Sequence, residues 1–141
     1  MKRNSRLSLA LHSLGHMARA PEERQTSAAI AAHANTNPVV VRRVLGRLRK
    51  AGLVASEKGH AGGWRLARAP QDITLADIYL ALDERLIAAD AEPGATDCSV
   101  ENALHEKVAS LLHDLERTLI DRLSATTLVD LRGQNGSAWR E

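Results

Sequence analysis

The amino-acid sequence predicts a mainly α-helical fold with one small β-hairpin and a long C-terminal helix. Three observations predict it. Apolar residues recur at helical spacing along most of the 141 residues. Aromatic residues make up 2% and Phe is absent, so the core must be aliphatic and rich in Ala, which suits helix packing. The one stretch with strand character, residues 53–67, has a glycine-rich centre typical of a hairpin.

The composition narrows the class of protein. With 44% hydrophobic and 26% charged residues, the chain has the balance of a folded domain, and its length suits one sizeable core. No run of 18 apolar residues is present, so no transmembrane helix is expected. A single cysteine excludes an intrachain disulfide and any zinc or iron site built from several cysteines of one chain.

Charge is distributed unevenly along the chain. Residues 1–70 contain 13 Lys and Arg against 3 Asp and Glu, a formal charge of +10, whereas residues 71–141 contain 6 against 14, a charge of −8. A basic half beside an acidic half indicates nucleic-acid or membrane contact by the basic half. The alternative is a basic surface that contacts only water.

The basic half predicts three helices and a hairpin. Helical spacing over 7–19 and 26–33 predicts the first two helices, and the start signal Asn37-Pro38 predicts a third over about 39–51. Strand character on both sides of a glycine-rich turn then predicts a hairpin. This order is that of a winged helix-turn-helix, which we place at residues 1–70.

The acidic half predicts a helical extension over residues 71–132. A short helix capped by Thr74 is expected first, then a loop near 90–97 and a last short helix near 127–131. The polar end, residues 133–141, is expected to be disordered.

A long helix is predicted between that loop and the last helix, over about residues 100–125. It spans roughly 38 Å, which is too long for a domain this small to cover, so its apolar stripe predicts pairing with a second helix. The predicted dimer interface consists of Leu104, Val108, Leu111, Leu115 and Leu119.

The third helix separates apolar from basic residues. Its apolar positions are Val41, Val44, Leu45 and Leu48. The opposite side carries cations, which suits the width and charge of a DNA major groove. Contacts to base edges are expected at Thr36, Asn37, Val39, Arg42 and Arg43. Contacts to phosphates are expected at Arg47, Arg49 and Lys50.

The hairpin tip adds further candidates for DNA contact. Its cationic or titratable residues are Lys58, His60 and Arg65. Gly59, Gly62 and Gly63 allow the backbone to approach a phosphate or a minor groove closely. The alternative is a glycine-rich turn that binds nothing.

Five motifs of this sequence occur together in a known family. They are NPVVVRRVLGRLRKAGLV from residue 37, GHAGGWRL from residue 59, ITLADI from residue 73, CSVENAL from residue 98 and TLVDL from residue 127. Together they resemble the Rrf2 family of bacterial winged-helix transcription regulators, which includes the IscR and NsrR types. The resemblance covers about residues 5–132.

The resemblance implies a homodimer that represses transcription by binding a palindromic operator in double-stranded DNA. It also implies a location in the cytoplasm, at the nucleoid, with no membrane contact. The family's DNA-contacting positions fall on Asn37, Val39, Arg42, Lys58 and Gly59. The IscR type has an acidic residue where this chain has Arg42, so a different operator sequence is expected.

The resemblance departs from the cluster-binding members at their iron–sulfur site. Those members have three cysteines, and this chain keeps only Cys98. Ser8 stands where some relatives have a carboxylate ligand, and His33 stands near the position of a histidine ligand in another type. One thiolate and one imidazole do not make a usual cluster site. We therefore expect no cofactor and no metal, as in the cysteine-poor, YwnA-like branch.

Cys98 is also a candidate redox sensor. The start of a helix attracts negative charge and so favours a thiolate, whereas Asp97 opposes it by like charge. The alternative is a structural cysteine in a helix–helix contact. His12 and His16 have chelating spacing on one helix, but no third ligand is nearby in the sequence, so we interpret them as structural.

The sequence contains no catalytic motif, so we predict that the protein is not an enzyme. The prediction is a sequence-specific DNA-binding transcription regulator, redox-responsive through Cys98. Two alternatives remain: a regulator that responds to an unknown small molecule while Cys98 is structural, and a winged-helix module that binds proteins. A small redox or metal enzyme lacks the ligand set it would need.

Overall fold

A computed structural model describes residues 6–59, 62–83 and 97–133. It is mainly helical with one two-stranded antiparallel sheet, which confirms the predicted fold class. A single 3₁₀ turn, Pro70–Asp72, follows the hairpin. The elements in chain order are α1 (Arg6–Arg19), α2 (Ser27–His33), α3 (Pro38–Lys50), β1 (Val54–Glu57), β2 (Gly63–Leu66), α4 (Leu75–Leu82), α5 (Ser99–Ser124) and α6 (Leu128–Gly133).

The sequence predicts strands at residues 53–56 and 64–67, whereas the observed first strand begins one residue later and the second one residue earlier. The first strand begins at Val54 because the Leu53 amide completes the end of α3 by donating to the Leu48 carbonyl at 3.0 Å. The second strand begins at Gly63, which lies opposite Glu57 in the sheet register. His60, residues 90–96 of the predicted loop and the tail after residue 133 lie outside the described residues.

Side-chain caps fix where the helices begin. The Thr26 hydroxyl accepts a hydrogen bond from the Ala29 amide at 3.1 Å, and the Asn37 side chain accepts one from Val40 at the same distance. Thr74 and Asp77 cap α4 reciprocally, each side chain accepting from the other's backbone amide. These bonds satisfy amides that a helix start leaves unpaired, so the helix boundaries follow from local sequence.

One aliphatic core joins the three helices of the basic half to the helices that follow. The predicted apolar face of α3 is buried, at Val41, Val44, Leu45 and Leu48. α1 adds Leu14 and Met17 to this core, α4 adds Tyr79, and α6 adds Leu128. The core therefore continues past residue 70, where we place the end of the DNA-binding domain from sequence, and that division stays a prediction.

The C-terminal end of α5 is tied back to the start of α4. The Leu75 amide donates to the Thr126 carbonyl at 2.9 Å, and the Leu128 amide donates to the Ile73 carbonyl at 3.0 Å. The buried Tyr79 hydroxyl also lies 3.3 Å from a carboxylate oxygen of buried Glu116 on α5. The first half of α5 lacks this support, and most of its residues are exposed.

None of the helices in the described part of the chain has both the length and the apolar character that crossing a membrane requires.

Candidate nucleic-acid interface

The exposed face of α3 forms a cationic surface at the start and along the side of the helix. Arg42, Arg43 and Lys50 are exposed. Val39 is 50% exposed although it is apolar. Thr36 and Asn37, just before the helix, are exposed as well. The buried face of the same helix holds this surface rigidly, because its four apolar side chains are almost fully enclosed.

Two arginines of α3 link the helix to its neighbours. Arg47 donates to the Leu82 carbonyl at the end of α4, at 3.1 Å. Arg49 donates to the Ser56 hydroxyl of β1, also at 3.1 Å. Both side chains remain exposed, so they can also contact phosphates, as the sequence predicts. These bonds fix the position of α3 relative to α4 and to the hairpin.

The hairpin is anchored to the start of α2, a contact that the sequence did not predict. Gln25 and Trp64 exchange two backbone hydrogen bonds, at 3.0 and 2.8 Å, and form an isolated bridge beside the sheet. The Trp64 indole donates to the Ser27 hydroxyl at 2.9 Å. The hairpin therefore has a fixed position relative to the helix-turn-helix. No local pattern marks this pairing, because it joins residues far apart in the chain.

Two glycines at the hairpin tip disfavour substitution, Gly59 because of its backbone conformation and Gly62 because its neighbours leave no room for a side chain. Gly59 has a φ of +103°, which L residues rarely adopt. A Cβ on Gly62 would lie 2.8 Å from the Gly59 carbonyl oxygen and closer still to that of Glu57. Lys58 beside the turn is exposed. The Gly62 amide donates a hydrogen bond to the Gly59 carbonyl at 2.9 Å across the turn.

The one carboxylate of the described hairpin is neutralised by arginines. Glu57 lies 2.7 Å from Arg24 and 3.6 Å from Arg65. The sequence did not predict a role for Arg24. Its ion pair with Glu57 holds its side chain beside β1. The Glu57 charge is thus offset by one cation beside the hairpin and one on its second strand.

The apolar stripe of α5 is exposed over most of its length. Val100, Leu104, Val108, Leu111 and Leu115 are all between 51% and 67% exposed. Leu119 is partly buried and packs against the chain's own core, and its place in an interface stays a prediction. The exposed part of the stripe therefore runs from Val100 to Leu115. Contiguous exposed apolar surface of this kind marks an interaction site.

Cys98 lies at the N-terminal cap of α5 with a free, exposed thiol. No side-chain hydrogen bond caps the helix there. With respect to the residues that the structure describes, the thiol is open to reagents.

Three helices, the third of them basic on its outer face, followed by an anchored hairpin, define a winged helix-turn-helix of the kind that transcription regulators use. A family model described as Rrf2, iron-dependent transcriptional regulator, matches residues 3–134. The chain belongs to the Rrf2 family and is a DNA-binding transcriptional regulator.

Individual relatives agree with this assignment. The HTH-type transcriptional regulator YwnA of Bacillus subtilis (strain 168) is 33% identical over 130 residues, which cover 91% of this chain and 95% of that protein. The structure of T. potens IscR matches with a TM-score of 0.63 and 27% identity over 93% of this chain and 85% of that one. A crystal structure described as a DNA-binding protein matches with a TM-score of 0.74 and 29% identity, over 90% and 98%.

The family description raises the question of an iron site. Iron–sulfur clusters are usually held by several thiolates, and this chain has one cysteine. Within the described residues, no group of three or more His, Cys, Asp and Glu side chains is placed to hold a metal ion. The donor set present does not fit a cluster held by one chain.

Proposed function

We propose that the protein represses transcription as a homodimer, in the cytoplasm, by binding a palindromic operator with α3 in the major groove and the hairpin beside it. The observation that carries the proposal is the pairing of a rigidly buried face of α3 with an exposed cationic face. A positively charged helix held against a core is what major-groove contact requires. The repressor direction rests on the family resemblance.

The second protomer is supported by the exposed stripe of α5. The stripe follows alternating steps of four and three residues from Leu104 to Leu115, which keeps it on one side of the helix. A second copy of α5 would cover it with an identical apolar stripe. Two copies of the basic half would then be presented together, as a palindrome requires.

Charge separation supports the orientation of the dimer on DNA. The basic residues lie on α3 and the hairpin, whereas α5 carries acidic residues along its exposed sides. The acidic helices would therefore point away from the phosphates. Operator affinity should fall steeply with salt, since each phosphate contact releases counterions.

Arg42→Ala is expected to weaken operator binding by about 1–3 kcal/mol and binding to random DNA much less. Arg42 is exposed on the first half of α3, and the N-terminal part of a recognition helix is the part that contacts base edges in helix-turn-helix domains. The measurement is fluorescence anisotropy at one salt concentration, with DNA from upstream of the protein's own gene and with a scrambled duplex.

Lys50→Ala is the matched control, because Lys50 lies exposed at the far end of the same helix. The Lys50→Ala substitution should lower the affinity for both duplexes by a similar factor. It should also lower the slope of log affinity against log salt concentration by about one. Equal losses on both duplexes for Arg42→Ala would contradict a role in base recognition. Failure of the wild type to bind a heparin column in a salt-reversible way would favour a module that binds proteins.

The exposed thiol of Cys98 supports a redox response as the finer function. Hydrogen peroxide would oxidise the thiolate to sulfenic acid and would itself be reduced to water. A polar, bulkier group at the start of α5 would then disturb the neighbouring helix pair. The competing proposal is a small-molecule effector, with Cys98 structural.

Peroxide is expected to weaken operator binding by the wild type and to leave Cys98→Ser unaffected, because serine keeps the size but not the reactivity of the thiol. Anisotropy titrations of reduced and peroxide-treated protein at one salt concentration measure this. Identical binding by all samples would assign the thiol a structural role and would leave the effector as a small molecule.

A further inference from the structure

Three histidines from two helices meet on the side of the domain next to α2. His12 and His16 lie one turn apart on α1, with ring centroids 4.5 Å apart. His33, the last residue of α2, brings its ring centroid to 5.3 Å from that of His16. We call these three residues the histidine cluster. It joins α1 directly to α2, the first helix of the helix-turn-helix.

The surroundings of the cluster favour the neutral form of the His12 and His16 imidazoles. The Nε2 atom of His12 is buried and has no hydrogen-bond partner among the described residues, so a proton there would place a charged donor without an acceptor. Burial, followed by the neighbouring His33, lowers the pKa of His12. Burial also lowers the pKa of His16, with smaller contributions from His12, His33 and Arg19.

Among the charged groups around the cluster, Arg19 repels a proton on His16. A cavity of about 560 Å³ adjoins His16 and His33 and is lined by two arginines, Arg19 and Arg24, against one carboxylate, Glu23. Arg24 is paired with Glu57 of β1, and Arg19 contributes to the lowered pKa of His16. The cavity also gives water, and hence protons, access to the cluster.

The position of His33 connects the cluster to the DNA-binding helix. Three residues separate His33 from Asn37, the cap at which α3 begins. We propose that the histidine cluster is a proton-sensitive contact that holds α2 against α1 at neutral pH and releases it in mild acid, moving the start of α3 and weakening operator binding. The DNA readout rests on the proposed operator binding, whereas the cluster itself is tested without DNA.

The direction of the effect follows from proton linkage. A histidine whose pKa is lowered by folding binds fewer protons in the native state than in the unfolded state. Its native contact is therefore fully stable above the ordinary pKa of 6.5 and loses stability as the pH falls from there through the lowered pKa. Acid also makes the whole protein more positive, which by itself would strengthen DNA binding. A fall in affinity is thus the opposite of the general charge effect.

Operator affinity is measured by anisotropy at pH 7.5, 6.5 and 5.5 at fixed ionic strength. We expect wild-type affinity to fall about three-fold or more across this range. His16→Asn should bind like the wild type at pH 7.5 and should lose the fall, because it removes the imidazole that contacts both others. His113→Asn, on the exposed side of α5, is the matched control and should keep the fall. Wild-type affinity that stays level or rises in acid would overturn the proposal.

The cluster is tested without DNA by following each histidine ring in NMR titrations of the intact protein. His12 and His16 should titrate below 6.5, and His33→Asn should raise the midpoints of both, because a positive neighbour is removed. Midpoints near 6.5 that do not respond to the substitution would also overturn the proposal. If the wild type fails to bind the operator at every pH while the rings titrate as a coupled set, the proposed operator is wrong and the coupled contact stands.

Discussion

The double substitution Val108→Glu and Leu111→Glu is expected to leave the protein monomeric and to lower operator affinity by about two to four orders of magnitude. Both side chains are exposed in the single chain and lie in the middle of the apolar stripe. In a symmetric pair of helices, each substitution would bury an unpaired carboxylate in the interface with the second protomer, which costs several kcal/mol. A monomer binds only one half-site and so loses the effective concentration that links the two.

Sedimentation and light scattering measure the oligomeric state, and anisotropy measures the affinity. Ser110→Glu is the matched control, since it adds the same residue on the exposed side of α5 away from the stripe. It should remain dimeric with nearly unchanged binding. A double variant that still sediments as a dimer would show that the stripe is not the interface.

Leu45→Ala is expected to lower the free energy of unfolding by about 2–5 kcal/mol. Leu45 is completely buried in the middle of α3, so the smaller side chain leaves a cavity beneath the DNA-binding surface. Because the whole stability of a domain is about 5–15 kcal/mol, a large share of it would be lost. Urea unfolding followed by circular dichroism, at one protein concentration, measures the change.

Val39→Ala, on the opposite face of the same helix, is the matched comparison. Its side chain is half exposed, so its effect on unfolding should be within about 0.5 kcal/mol. It should weaken operator binding instead, because Val39 lies where base edges are expected. Equal effects of the two substitutions on stability would contradict the orientation of α3.

The features that the sequence predicts well are local ones. Asn37 and Pro38 begin α3, and Thr74 begins α4, because a cap needs only residues three positions apart. The buried face of α3 follows from spacing alone. The DNA-contacting residues inferred from that spacing lie on one exposed side, and their roles stay predictions.

The features that the sequence did not predict depend on contacts between distant segments. His12 and His16 are visible as a pair in the sequence, but His33 joins them only because the folded chain brings the end of α2 close to α1. Leu119 turns from the stripe to the core because a straight helix has 3.6 residues per turn, so a stripe with a shorter repeat drifts around it. Glu116 is buried because the Tyr79 hydroxyl on α4 lies against it.

Because α5 is attached at one end, a small tilt at that end moves its other end by a larger distance. Backbone hydrogen bonds hold its C-terminal end to the start of α4, whereas most residues of its first half are exposed with respect to the described part of the chain. A helix of 26 residues is about 39 Å long, so a tilt of about 5° at the attached end displaces the far end by about 3 Å. In a pair of such helices, a small change of crossing angle becomes a change in the distance between two DNA-binding surfaces. In the proposed dimer, an angle between the two α5 helices would therefore set the spacing of operator half-sites that the protein accepts.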